Sequence, residues 1–167
     1  MNDESLLQKA RDIRLLLMDC DGVLTDGKLY FSTTGEAMKA FHVRDGQGIV
    51  NWHRAGFLSG IISGRRSEGI VEARAAELGI RFVVTGSNDK GADLKHILDE
   101  TGIPSEEIAF IGDDLGDIGI MKLVGLPVAV ADAAEDVKAV ASYVTKAKGG
   151  EAAVREMIDL LLAARLD

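Results

Sequence analysis

Short apolar runs of strand length alternate with helical stretches along this chain, and that alternation limits its fold more than any other feature. The runs are IRLLLMD, FLSGIIS, IRFVVTG, IAFIGD and PVAVA, with a short YVT after them. IRLLLMD has the unbroken apolar character of a central strand buried on both faces. Helices are expected between the runs, over 44–55, 66–78, 90–101, 115–124 and 134–141, with a terminal one over 151–164. A first short helix is expected over 1–12, capped near Asn2 or Asp3. Strands that alternate with helices throughout predict an α/β fold with a doubly wound, mostly parallel sheet. With 47% hydrophobic but only 5% aromatic residues, the core must be built mainly from Ile, Val, Leu and Ala.

At 167 residues the chain suits one domain, 1–167. The segment 27–42, GKLYFSTTGEAMKAFH, breaks the pattern and reads as a β-hairpin inserted after the first strand. It carries Leu29, Tyr30, Phe31, Met38 and Phe41, and a lone hairpin is marginal in water. The same hairpin in other subunits is the simplest partner. The remaining gaps between motifs hold only a helix or a helix and strand, so no cap domain is expected.

Four strand ends finish on residues suited to phosphate chemistry. Asp19 and Asp21 follow the first strand, Ser63 ends the next, Lys90 opens a helix, and Asp113, Asp114 and Asp117 follow IAFIG. Residues two apart in an extended segment share a side, so Asp21 joins Asp19 while Cys20 points away. A carboxylate attacks phosphorus only when the repulsion between two anions is relieved. Mg²⁺ does this with oxygen ligands, here expected from Asp19, Asp21 and Asp113. Asp19 is then the nucleophile and Asp21 the proton donor and acceptor. Ser63 and Lys90 bind the phosphoryl oxygens, and Lys90 also compensates Asp19. A lysine at a helix start opposes the helix dipole, which points to a local anion. Asp117 is expected behind the metal ligands and Asp114 near a metal-bound water, unless they cap the short helix.

HVRDGQG offers a second set: His42, Val43, Arg44, Asp45 and Gly46 as a glycine-bearing loop facing an anionic substrate, or else a helix start with Asp45 as cap. Arg65 and Arg74 are further candidates for a phosphate or carboxylate. Three scattered His residues lack zinc-ligand spacing. The net charge, 19 − 27 = −8, argues against nucleic acid or an anionic membrane as partner. A single Cys fits a reducing cytoplasm, no apolar run is long enough to span a bilayer, and the charged N-terminus lacks a signal-peptide core.

DCDGVLTDG, ISGR, Lys90 and GDDLGD resemble, in order, the four motifs of the haloacid dehalogenase-type phosphatases. DGKLYFSTTGEAMKAFHVRDGQGI and KGGEAAVREMIDLLL narrow the likeness to the small capless phosphatases of 3-deoxy-D-manno-octulosonate 8-phosphate (KDO 8-phosphate), an intermediate of lipopolysaccharide synthesis. That family's tail usually reads nearer GGRGAVRE; here Glu151 and Ala152 stand in place of the Arg-Gly pair. The resemblance implies a Mg²⁺-dependent phosphoric monoester hydrolase, a site beyond the carboxyl ends of the strands, and a homotetramer whose neighbours roof each site. A neighbour's KGGEAAVRE segment is expected to reach over, with Lys148 or Arg155 meeting the substrate. Two alternatives stand beside it: a phosphatase of a nine-carbon sialic-type acid, and a receiver-like signalling domain. A receiver would carry its phospho-acceptor on a middle strand, not directly after the first.

Overall fold

The computed structural model describes residues 3–67 and 69–166. Six strands form one parallel sheet in the order β5-β4-β1-β6-β7-β8. They are β1 (Leu15–Met18), β4 (Leu58–Ser63), β5 (Phe82–Thr85), β6 (Ile108–Gly112), β7 (Leu126–Ala129) and β8 (Tyr143–Val144). Every residue of β1, β6 and β7 is buried, as their unbroken apolar runs require. β1 lies between β4 and β6, with Met18 level with both Ile61 and Ile111. The chain builds outward from β1 to β4 and β5, then crosses back to β6, β7 and β8. The order therefore reverses between β1 and β6, which is where such sheets open a crevice.

Right-handed crossovers put the helices on two faces. α1 (Asp3–Asp12), α2 (Val43–Arg54) and α7 (Ala153–Ala163) pack together, and α2 also touches α3 (Ile70–Leu78). α5 (Ile118–Met121) packs against α4 (Lys90–Thr101) and α6 (Glu135–Val140). The expected cap at Asn2 and the side chain of Asp3 lie outside what is described. α3 begins four residues later than its apolar spacing suggested, because Gly64 to Ser67 follow the strand as a loop. It stops at Gly79, at φ +71°. Trp52 is fully buried, stacks on Phe57 at 4.3 Å between centroids and donates to the Leu58 carbonyl.

The hairpin is shorter than its sequence pattern. Its strands are β2 (Tyr30–Ser32) and β3 (Gly35–Met38), joined by Thr33 and Thr34, with a register shift between Tyr30 and Phe31. Phe31 is 65% exposed and Met38 53%. Phe41, expected among these apolar surface groups, instead packs on the core beneath the Arg74 guanidinium.

The largest difference from expectation concerns HVRDGQG and the tail. α2 starts at Val43, so Gly46 and Gly48 lie within the helix. A side chain at Gly48 would collide with Arg155, so this glycine allows α2 and α7 to approach closely. His42, not Asp45, caps α2, its Nδ1 accepting from the Arg44 N–H. Asp45 is 1% exposed and accepts from the Arg155 N–H at 2.7 Å, closing the start of α7 from another helix. Burial pushes its carboxyl above the usual range, against the lowering effect of that bond.

Candidate active site

The site lies where the strand order reverses, at the carboxyl ends of β1, β4 and β6. An open cleft of about 260 Å³ is lined by Asp19, Asp21, Ser63, Gly64, Arg65, Lys90, Asp113, Asp114, Gly116 and Asp117. All four sequence motifs therefore meet there. β1 and β6 are adjacent, so Asp19 and Asp113 emerge side by side, and the Asp19 N–H extends the ladder to the Ile111 carbonyl. A Cβ on Gly22 would overlap the Asp113 carboxylate, and Gly22 sits at φ +91°. The tight turn after Asp21 thus leaves space for the second acid only because residue 22 has no side chain.

Charge is balanced unevenly across this floor. Lys90, held at the head of α4 by the Asp89 cap, places Nζ 3.1 Å from Asp19 Oδ1 and 2.5 Å from Asp117 Oδ1. Burial opposes its charge, but Asp19 and Asp117 outweigh burial and hold its pKa above the usual lysine value. Asp117 is buried, and its Oδ2 accepts from the Asp113 and Asp114 N–H groups at 2.9 and 3.3 Å. Both its oxygens are committed, so it ties Lys90 to the β6 loop. Asp114 caps the turn that follows, accepting from the Leu115 N–H, and its other function at the site has no contact to support it.

Asp19 and Asp113 carry the excess negative charge. Burial, opposed by Lys90, pushes Asp19 up to about 6. Burial, then Asp19, Asp117 and Asp114, push Asp113 up to about 8. Asp113 Oδ1 is buried without a hydrogen-bond partner among the described residues. Asp19, Asp113 and Asp117 each bring an oxygen within 4.8 Å of the others, a spacing that suits one cation. An orphaned carboxylate oxygen beside like charges is what a divalent ion would satisfy. Asp21 is not in this group. Although expected to ligate the metal, its carboxylate turns to Lys39 and to Arg65, 3.6 Å away. Ser63 is buried at the edge of the cleft, and its Oγ accepts from the Arg65 N–H, leaving the hydroxyl proton free to be donated.

The expected substrate contacts divide. Arg65 and Lys90 line the cleft. His42, Asp45, Gly46 and Arg74 surround a separate crevice of only about 10 Å³, too small for a sugar. Arg74 pairs there with Glu77 at 2.7 Å. Val43 is 77% exposed on α2 and Arg44 lies beside Arg155, both away from the cleft. Asp45 and Gly46 lie in α2, in line with the helix-start alternative for HVRDGQG, and within one chain they face α7 and Arg74 and not the cleft. Gly150 donates to the Val23 carbonyl, and Arg155 pairs with Asp159 at 2.8 Å in the same chain. Lys39 had no signal in the sequence, since nothing in AMKAFH marks one lysine as buried.

The chain matches the haloacid dehalogenase-like hydrolase family over residues 60–158. It is also 45% identical, across 96% of its length and 85% of the relative's, to the 3-deoxy-D-manno-octulosonate 8-phosphate phosphatase KdsC of Escherichia coli K12. The chain belongs to this phosphatase family of haloacid dehalogenase-like hydrolases. Two solved structures resemble this hydrolase over nearly its full length. The Moraxella catarrhalis phosphatase, solved with a magnesium ion, a phosphate ion and KDO, matches at a TM-score of 0.95 and 38% identity, over 99% of this chain and 94% of that one. The cobalt-bound Haemophilus influenzae phosphatase matches at 0.92 and 40% identity, over 95% and 92%. Membership in the family and the order of its motifs set aside a receiver-like domain. Among the described residues, no helix of this hydrolase is long and apolar enough to cross a membrane.

Proposed function

We propose that this chain hydrolyses KDO 8-phosphate to KDO and inorganic phosphate through a phosphoaspartate on Asp19. The observation that carries the reading is the joining of Asp19, Lys90 and Asp113 in one cleft of a chain 45% identical to a KDO 8-phosphate phosphatase. Asp19 and Asp113 would hold Mg²⁺, which supplies the positive charge that allows two anions to meet. The protein does the rest. Cys20 N–H and Lys90 fix one oxygen of Asp19, at 2.7 and 3.1 Å, so the carboxylate presents its other oxygen to phosphorus. Ser63 donates to a phosphoryl oxygen, and Lys90 neutralises charge that gathers in the transition state. Asp21 protonates the leaving sugar oxygen and then deprotonates the attacking water. Arg65, exposed on the cleft wall, binds the substrate's anionic groups.

Assembly belongs to the same reading. One chain leaves the cleft open and the hairpin's Phe31 and Met38 in solvent. A homotetramer formed through hairpin 27–42 buries those side chains and roofs each site with a neighbour. The reading places the protein in the cytoplasm, where Cys20 stays a buried thiol. The test is phosphate release across a panel of sugar phosphates, with and without Mg²⁺. KDO 8-phosphate should lead the panel and EDTA should abolish turnover. Preference for a nine-carbon acid 9-phosphate, or full activity in metal-free protein, would overturn it.

A further inference from the structure

The hairpin faces solvent along most of its length, yet two of its side chains are buried against the cleft. The Lys39 side chain is 1% exposed and that of Glu36 5%. Lys39 Nζ donates to Asp21 Oδ1 and, at 2.9 Å, to Glu36 Oε1. Asp21 Oδ2 and Glu36 Oε2 have no hydrogen-bond partner among the described residues, and Arg65 stands 3.6 Å from each. Two positive and two negative groups thus form a closed ring, one side of which is the proposed acid–base carboxylate. Withdrawing such ions from water costs about several kcal/mol each before pairing, so a surface hairpin gains little stability from them. Their geometry, by contrast, decides which oxygen of Asp21 is free.

We propose that Lys39 and Glu36 are positioning residues for Asp21; the inference rests on the role given to Asp21 above. Lys39 occupies Oδ1, so the transferable proton resides on Oδ2. Glu36 holds Lys39 in place, and Arg65 remains loose enough to turn toward substrate. In the first step an Asp19 oxygen bonds to phosphorus, the bond from phosphorus to the sugar oxygen breaks, and the proton on Asp21 Oδ2 passes to that oxygen. In the second, the Asp21 carboxylate takes a proton from water as the water oxygen bonds to phosphorus. The Asp19–phosphorus bond breaks, and phosphate, the Asp19 carboxylate and protonated Asp21 are restored. Without Lys39 the carboxylate loses its fixed orientation, and protonation of a poor leaving group fails first.

The test compares leaving groups. KDO 8-phosphate leaves as an alkoxide that needs a proton, whereas 4-nitrophenyl phosphate leaves as a stable phenolate that does not. In Lys39→Met, kcat/KM for KDO 8-phosphate should fall at least about tenfold more than for 4-nitrophenyl phosphate, a part of the roughly 10²–10⁴-fold that an acid–base group contributes. Glu36→Gln should show the same split, smaller. If Lys39→Met does not fold, the double variant Lys39→Met/Glu36→Gln, which removes one charge of each sign, carries the comparison. Asp21→Asn provides the reference. A split in Asp21→Asn with equal losses for both substrates in the Lys39 and Glu36 variants overturns the positioning role and leaves the phosphatase reading intact. No split in Asp21→Asn overturns the acid–base role of Asp21 and, with it, the positioning role of Lys39 and Glu36.

Discussion

Asp19 and Asp113 stand at the ends of strands buried along their whole length, whereas Glu36 and Lys39 stand on or beside a four-residue strand with half its residues exposed. The first pair is held by the parallel ladder itself: Asp19 N–H bonds to Ile111, and Asp117 bonds to the Asp113 and Asp114 amides. The second pair is tied to the cleft by side-chain ions, on a hairpin of two short strands. The floor can therefore keep two raised carboxyls close together, because the sheet outweighs their repulsion. The hairpin packs less deeply than the sheet and leaves Phe31 and Met38 exposed. On the proposed reading, attack on phosphorus belongs to the rigid region, and selection of what is attached to phosphorus belongs to the hairpin and the assembly proposed to form through it.

The sharpest way to break this division is Asp19→Asn. Phosphate release should drop to background while the melting temperature holds or rises, since a like charge next to Asp113 is gone. Retained turnover above a few per cent would remove the floor's part in attack.

Metal removal comes next. Asp19 and Asp113 titrate in the metal-free fold near about 6 and about 8, above the ordinary 3.8. Folding then favours the protonated forms, so this stability is full at low pH and is lost as pH rises toward about 8. Thermal melting in EDTA should fall across that window. Saturating Mg²⁺ should flatten the slope by favouring the ionised forms, and Asp113→Asn should remove most of it without Mg²⁺. A flat profile for the metal-free wild type would contradict the crowding of the floor.

The hairpin is tested by Phe31→Asp with Met38→Asp. Both side chains are exposed, so the fold should survive while light scattering reports smaller particles. Loss of kcat/KM should be about tenfold or more for KDO 8-phosphate and smaller for 4-nitrophenyl phosphate, because an open site admits water and reads little beyond the phosphoryl group. Equal losses would mean that the hairpin supports the floor as well.

Much of the floor was legible because strand ends in a parallel sheet converge on one crevice. Placing Asp19, Ser63 and Asp113 at such ends, and Lys90 at the helix start beyond another, was enough to bring them together. The alternation of strand and helix gave the sheet for the same reason. Lys39 was not legible, since its burial depends on how a bulged hairpin folds back, and no local pattern encodes that. Asp45 misled because a cap is usually sought within its own helix, whereas this one closes α7 across more than a hundred residues of sequence. Phe41 misled because apolar hairpin residues look alike until one of them reaches the core.

The smallest expected effect concerns the tail. Ala152 has φ +76°, alone in that region among the described non-glycine residues, at the position where the resembling family usually has glycine. A left-handed alanine costs about 1–2 kcal/mol, of which glycine's greater freedom in the unfolded chain offsets about 0.5–1 kcal/mol. The net gain of at most about 1.5 kcal/mol means that Ala152→Gly should raise the melting temperature by up to about 3–6 °C with activity unchanged. A lower melting temperature would mean that the strain is absent.

Gly149 and Gly150 press their backbone against Gly22, Thr25 and Asp26, so closely that a side chain on either would collide with that loop. The consequence concerns synthesis. A growing chain leaves the ribosome with Asp19, Ser63, Lys90, Asp113 and Asp117 already in place, but without the segment that braces the turn beyond its nucleophile. Partly made chains should therefore carry every reactive group and still be poor catalysts until residues 149–150 emerge and pack against that turn.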